Sequence, residues 1–409
     1  MEDHAPSDIT IDWSFAFGKM AGEMKQNGRA YYIDWIRIGV ILLLVPFHSA
    51  VTFTTRGDGY IRYPQSVPAM DIGLWFLSIW IMPVSFVASG FASYQALQYR
   101  TPREYLKNRR AKLLIPFLAA VLLLCPPMAY LRALFIGSFQ GSFLQFYPRF
   151  FTHGVYPKGY FNWGHLWFLI YLYVFTLILV PLFMRMIRER TRTSVIAASA
   201  ILEKGLWVYL TAIPLMFSQT VLGPLFPNNF NIFSDWAYFT LYLVLVLYGF
   251  LFAMNERILD NIQRIRTVSL VLVILLFVPE AVLRISGMET ALRPISPAYN
   301  VLILFASVFA ALGYARGFLN QPYRFYRYLH TASFPFYILH FFPITMMSYF
   351  IARSDLNVWL KYIVIVVIAY PSTVALYEII RRTPVVGSFF RVKPFEEETL
   401  KRNVRAERA

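Results

Sequence analysis

The stretch YYIDWIRIGVILLLVPFHSA, residues 31–50, is long and apolar enough to cross a lipid bilayer as one helix. It contains side chains that lipid disfavours, Arg37 near its start and His48 near its end. Their separation is roughly three helical turns, so both lie on one helix face, about 16 Å apart in depth. Asp34 lies three residues before Arg37 and can therefore pair with it.

An ionisable group inside a membrane is costly, which makes His48 a candidate functional residue. An imidazole titrates near neutral pH, so it can take a proton from a hydroxyl group and later return it. The structural alternatives are that Arg37 only reaches back to the membrane surface, and that His48 only hydrogen-bonds a neighbouring helix.

The rest of the chain repeats this pattern of long apolar runs. Of its 409 residues, 58% are hydrophobic and 15% are charged, which is typical of a polytopic helical membrane protein. The runs predict an all-α bundle of about ten transmembrane helices. They cover about residues 32–54, 71–98, 112–136, 164–184, 206–222, 236–254, 267–285, 298–315, 329–351 and 358–381.

Basic residues are distributed unevenly between the two sides of this bundle. With the N-terminus inside, 28 of the 38 Lys and Arg residues fall on the inner side and 9 on the outer side. This asymmetry predicts that both termini are cytoplasmic, in what we expect to be a bacterial inner membrane. It also makes membrane lipids the expected partner of the net charge of +16, and argues against nucleic acid.

Three parts of the chain follow from this topology. Residues 1–30 form a cytoplasmic N-terminal segment suited to lie at the membrane surface, residues 31–384 form the membrane domain, and residues 385–409 form a charged cytoplasmic tail. Two outer loops, about 137–163 and 223–236, are rich in aromatic and amide side chains. Such loops suit sugar rings, although aromatic belts at the membrane interface account for the same residues.

Further ionisable residues occur at membrane depth. NWGHLWFL places His165 at the outer start of the fourth span, FPFYILHFF places His340 near the middle of the ninth, and Glu280 can pair with Arg284 in the seventh. Each has a structural alternative as a packed or paired residue. No pair of His, Cys or carboxylate residues has metal-ligand spacing on one helix, so we expect no metal.

A basic cluster stands directly before the third span. Arg109, Arg110 and Lys112 precede LLIPF at the cytoplasmic mouth of that span. The cluster is sufficient as a topology signal, and it could also neutralise the phosphates of an anionic ligand.

Together these elements resemble the acyltransferase-3 membrane family. Arg37 and His48, with ten residues between them, resemble its Arg-x10-His element, and SFVASGF (85–91) resembles its Ser-Gly-Phe element. Arg109-x-x-Lys112 resembles a basic motif that usually ends in Arg, and this departure weakens a bidentate role at Lys112. HLWFL (165–169) and the late FPFYILH also fit the family. YYIDWIRIGVILLLVPFHSA together with HLWFL resembles in particular a branch associated with succinylation of periplasmic glucans.

The resemblance implies transfer of an acetyl or succinyl group from cytosolic acyl-CoA, the donor substrate, to a carbohydrate or glycolipid hydroxyl. Arg37, Arg109, Arg110 and Lys112 would bind the donor. His48 would act as general base, or less directly carry the acyl group itself, with His165 beside it. The residues expected to bind the acceptor are Trp163, Trp167, Glu280 and His340.

Two other classes of function remain open from the sequence. A proton-coupled transporter or flippase would use His48, Glu280 and His340 as a proton relay. A sensor or scaffold would carry out no chemistry at these residues.

Overall fold

The computed structural model describes residues 30–55, 59–64, 66–156, 158–226, 230–288 and 295–392. The predicted surface segment lies, apart from Ala30, outside the described residues. Within the described ranges the chain is helical and contains no β-strand. The α-helices are α1 (Tyr31–Val51), α2 (Pro68–Leu97), α3 (Pro102–Arg109), α4 (Ile115–Leu123), α5 (Cys125–Phe135), α6 (Phe143–Thr152), α7 (Trp167–Met186), α8 (Glu189–Ala198), α9 (Ala212–Leu222), α10 (Trp236–Met254), α11 (Glu256–Arg264), α12 (Arg266–Ile285), α13 (Ser296–Phe318), α14 (Tyr326–Leu339), α15 (Phe341–Ile351), α16 (Val358–Arg381) and α17 (Pro384–Phe389).

Ten segments of the described chain can cross a membrane. Nine are single helical segments of sufficient length and hydropathy, and the tenth is the pair α14 and α15, which bends by 49° around His340. The prediction of an all-α, polytopic membrane bundle is confirmed. The nine segments are Tyr31–Val51, Pro68–Leu97, Pro102–Phe135, Gly164–Met186, Gly205–Leu222, Trp236–Met254, Arg266–Ile285, Ser296–Phe318 and Val358–Arg381.

The third span is interrupted twice, and proline accounts for both irregularities. A π-helical turn, Arg110–Leu114, joins α3 to α4, and in it Ile115 N–H donates to the carbonyl of Arg110. Pro116 follows directly and has no N–H with which to restore α-helical bonding. Pro126 and its neighbour likewise stand at the start of α5, where the helix breaks after Leu124.

Helices α2 and α10 approach each other closely through two glycines. A Cβ atom added at Gly90 would clash with the carbonyl of Val246, and one added at Gly249 would clash with the carbonyl of Val87. Small residues allow such contact between helix backbones inside a membrane. The glycine of the SFVASGF stretch therefore has a packing role.

We expect Gly90→Ala to lower stability by roughly 1–3 kcal/mol, because the added methyl must push two backbones apart. Gly39→Ala is the matched control, since no atom lies within 4 Å of a Cβ atom at Gly39. The thermal midpoint of detergent-solubilised protein measures the difference. Equal midpoints for the two variants would contradict the packing role.

The structure extends the packed part of the chain beyond the predicted boundary at residue 384. Helix α17 contacts α4 and α16, and the following Phe390 and Val392 are buried. The packed domain therefore continues to Val392, and the rest of the charged tail lies outside the described residues. The segment 137–163, which the sequence predicted to be a loop, contains a short helix, α6.

The orientation of the bundle can be tested with introduced cysteines in a Cys125→Ala background. Leu144 and Ser388 are both exposed, on α6 and α17 respectively. Because of the charge asymmetry, we expect Leu144→Cys to react with an impermeant thiol reagent in intact cells and Ser388→Cys to react only after lysis. Labelling in the opposite order would invert the topology.

Candidate active site

Three histidines from distant parts of the chain meet in the bundle. His48 lies near the end of α1, His165 in the 3-10 turn before α7, and His340 at the bend between α14 and α15. The ring centroid of His340 lies 5.3 Å from that of His48 and 5.1 Å from that of His165. The ring centroids of His48 and His165 are 6.2 Å apart. We call these three residues the histidine cluster. The sequence identified each of them, and the structure brings them together.

A hydrogen-bonded turn holds His165 in place. Gly164 has a φ of +48°, and its N–H donates to Asn162 Oδ1 at 2.6 Å. The same oxygen accepts a hydrogen bond from the hydroxyl of Tyr60 at 2.7 Å. Burial raises the pKa of the Tyr60 phenol well above its ordinary value, which keeps this hydroxyl a donor. Sequence reasoning missed Tyr60 and Asn162, although Asn162 lies within the quoted NWGH stretch.

Backbone carbonyls fix which nitrogen carries the proton in two of the rings. His165 Nε2 lies 3.1 Å from the carbonyl of Ile338, and His340 Nδ1 lies 2.7 Å from the carbonyl of Tyr337. A carbonyl oxygen can only accept, so each of these nitrogens must carry a hydrogen. In the neutral rings, His165 Nδ1 and His340 Nε2 are therefore bare acceptors.

These two acceptors are buried and have no hydrogen-bond partner in the described part of the chain. A buried polar atom without a partner is costly, so the arrangement favours a donor that comes from outside these two rings. A substrate hydroxyl or an N–H of His48 would satisfy it. The cluster thus offers two hydrogen-bond acceptors to an incoming donor.

His48 is the accessible member of the cluster. Its side chain is half-buried, whereas His165 and His340 are 6% and 0% exposed. The His48 ring packs against Phe341 at 4.5 Å and makes no hydrogen bond to any described residue. Both of its nitrogens therefore remain available to a substrate. No group of three or more His, Cys, Asp or Glu side chains in the described ranges could hold a metal ion.

Arg37 joins α1 to the second span. Its Nη2 donates to the carbonyl of Ala88 at 2.7 Å, inside SFVASGF, and its Nη1 lies 3.6 Å from Asp34 Oδ1. The predicted pairing with Asp34 is confirmed. Asp34 also accepts a hydrogen bond from Tyr326 at 2.5 Å, so α14 is tied to the same position.

The predicted donor-binding residues differ in their surroundings. Arg109 donates to Tyr105 and Ser93, each at 2.9 Å, so it is anchored within the protein. Arg110 and Lys112 are exposed on the π-helical turn. Arg37 lies within electrostatic range of Arg109, and Lys112 lies within range of both. A cationic region therefore stands at the opposite end of α1 from the histidine cluster.

The two predicted tryptophans are placed differently. Trp163 is half-buried in the segment before His165, and its indole N–H donates to the carbonyl of Phe230 at 3.4 Å. Trp167 is only 8% exposed and stacks on Phe230 at 4.5 Å. Phe230 covers the ring that we expected to face a sugar, so Trp167 is a packing residue in this structure.

Glu280 lies apart from the contacts that form the histidine cluster. It pairs with Arg284 at 2.6 Å, as predicted, and the Arg284 guanidinium lies 4.1 Å from the ring centroid of Trp75. No hydrogen bond, ion pair or ring contact among the described residues joins Glu280 to the three histidines. Described contacts therefore do not connect Glu280 to His48 and His340 in the proton relay expected of a transporter. The geometry also gives no support to the prediction that Glu280 contacts the acceptor.

Comparison with known proteins identifies the family of this chain. Residues 30–378 match the family described as acyltransferase domain. Similar proteins include the glucans biosynthesis protein C of Escherichia coli O139:H28 (strain E24377A / ETEC), 22% identical over 90% of this chain and 95% of that protein. The proteins of the same name from Escherichia coli O6:K15:H31 (strain 536 / UPEC) and from strain K12 show the same identity and coverage. No solved structure matches. With nine or ten candidate spans among its described residues and with 30–378 matched, the chain belongs to the acyltransferase-3 family and is a multi-pass membrane acyltransferase.

Proposed function

We propose that this acyltransferase moves an acetyl or succinyl group from cytosolic acyl-CoA to a hydroxyl of a cell-envelope carbohydrate such as a periplasmic glucan. The observation that carries the proposal is the histidine cluster, in which two buried acceptor nitrogens lie beside the accessible ring of His48. The hydroxyl of the carbohydrate would donate the hydrogen bond that these nitrogens lack. The names of the similar proteins support a glucan as the class of acceptor.

The chemical step needs one base and no redox chemistry. His48 takes the proton of the acceptor hydroxyl as its oxygen attacks the thioester carbonyl carbon. The new C–O bond forms the ester, the C–S bond breaks, and the imidazolium returns the proton to the leaving thiolate of CoA. Carriage of the acyl group by His48 itself is the covalent alternative.

The position of the cationic region suits a donor that enters from the cytoplasm. Arg37 and His48 are separated by about 16 Å along α1, a depth that a long, narrow pantetheine arm can span. The phosphates of CoA would stay with Arg109, Arg110 and Lys112, while the thioester reaches the cluster. Trp163, next to the turn that holds His165, would contact the sugar.

A reaction with purified protein tests this proposal. In detergent, with acetyl-CoA or succinyl-CoA and an envelope glucan, we expect CoA release and a mass increase on the glucan that equals one acyl group. No ion gradient should be required. Transport of a glycan that responds to a pH gradient, with no CoA release for either donor, would overturn the proposal.

We expect the double variant Arg109→Gln/Arg110→Gln to raise KM for acyl-CoA with little change in kcat. Each lost charge-assisted hydrogen bond should cost roughly 1.5–3 kcal/mol at most, and less at exposed Arg110. Arg103→Gln is the control, because Arg103 is exposed on the same helix. Unchanged donor affinity in a folded double variant would leave these residues as topology signals.

A further inference from the structure

The C-terminal segment, residues 384–392, returns to the π-helical turn of the third span. Helix α17 contacts α4, and the side chains that follow it, Phe390 and Val392, are 1% and 6% exposed. Burial of these two apolar side chains fixes the segment against the bundle. The residue between them is Arg391.

The backbone and the side chain of Arg391 are both specifically placed. Its φ is +57°, a conformation that non-glycine residues adopt rarely, and the flanking buried side chains hold it there. Its Nε donates to the carbonyl of Ala111 at 3.0 Å, within the π-helical turn. The segment thus brings a guanidinium to the turn that carries Lys112.

Several cationic side chains surround this turn. Lys112 lies within electrostatic range of four guanidinium groups, those of Arg37, Arg100, Arg109 and Arg391. Two of these cations, Arg37 and Arg100, lie near the carboxylates of Asp34 and Glu104. Asp34 pairs with Arg37 and accepts from Tyr326, and Glu104 accepts the hydrogen bonds of Thr101 at the start of α3.

No ion pair among the described residues joins Lys112, Arg109 or Arg391 to a carboxylate. These three cations repel one another, and a bound polyanion would remove that cost. The diphosphate and the additional phosphate of a coenzyme A thioester provide such a charge.

We infer that residues 384–392 complete the donor site and that Arg391, with Lys112 and Arg100, binds phosphate groups of the acyl-CoA donor. The inference rests on the proposed function and adds two cations and a C-terminal segment that the motifs of the sequence did not include. The same cations could instead hold the phosphate of an anionic lipid headgroup, so the test must separate the two sources.

The test measures KM and kcat for acyl-CoA in full-length protein reconstituted in nanodiscs of neutral phosphatidylcholine. We expect Arg391→Gln to raise KM about 3- to 20-fold with kcat unchanged, since Arg391 is exposed and solvent weakens its charge. Arg391→Lys should restore most of the affinity, because it keeps the cation. Arg382→Gln, an exposed arginine at the end of α16 with the same loss of charge, should change KM less than twofold.

The remaining outcomes separate the inference from the donor site itself. If the Arg109/Arg110 variant raises KM while Arg391→Gln behaves like Arg382→Gln, the C-terminal segment is not part of the site. If Arg391→Gln acts only in nanodiscs that contain phosphatidylglycerol, the segment binds lipid headgroups and the inference is wrong. If no variant in either region changes KM, the proposed donor site itself is wrong.

Discussion

His48→Gln should lose roughly 10²–10⁴-fold in kcat while it folds and binds acyl-CoA normally. Glutamine can form a hydrogen bond at a similar distance from the backbone, but it cannot take a proton from the acceptor hydroxyl. The half-buried His48 ring has no hydrogen bond to any described residue, so its replacement should not disturb a structural network. Single-turnover transfer from a bound donor isolates the chemical step.

The matched control is His153→Gln, which changes an exposed histidine outside the ten spans. It should retain wild-type turnover. In the wild type, the rate should fall on the acidic side, because an imidazolium has no lone pair with which to accept the proton. Near-wild-type single-turnover transfer by His48→Gln would exclude His48 as the base.

The spans could be predicted from the sequence because hydropathy alone decides which segments enter a bilayer. The Arg37–Asp34 pair was also predictable, since it depends only on residues three apart on one helix. The 49° bend at His340 was not. Prolines lie on both sides of it, at positions 335 and 343, but several other helices contain proline and remain continuous.

The arrangement of the active site depends on contacts between distant segments. His165 and His340 are 175 positions apart, and their proton positions follow from the carbonyls of Ile338 and Tyr337. No local pattern reports such bonds. The same limit applies to Trp167: the ring that we expected to face a sugar is covered by Phe230, which is distant in the sequence. Identity and depth of a residue were predictable, and its partners across the bundle were not.

The proton positions in the histidine cluster predict that asparagine and glutamine have different effects at each of two positions, His340 and His165. In His340→Asn, the amide N–H can replace Nδ1–H as donor to the carbonyl of Tyr337, whereas the acceptor at Nε2 is lost. In His165→Gln, the longer amide can replace Nε2–H as donor to Ile338, whereas the acceptor at Nδ1 is lost. Both variants should therefore keep the fold and lose the bare nitrogen.

We expect His340→Asn and His165→Gln to lower kcat by about 10²-fold or more, with thermal midpoints close to the wild type, if the bare nitrogens accept protons or orient His48. The converse variants, His340→Gln and His165→Asn, misplace the donor and leave a buried carbonyl without its hydrogen bond. They should also lower stability, by about 1–3 kcal/mol. For the Asn and Gln variants at each position, melting curves measure the stability and single-turnover rates measure the chemical step. If His340→Asn and His165→Gln keep full activity, the bare nitrogens do not take part in catalysis, and His48 acts without them.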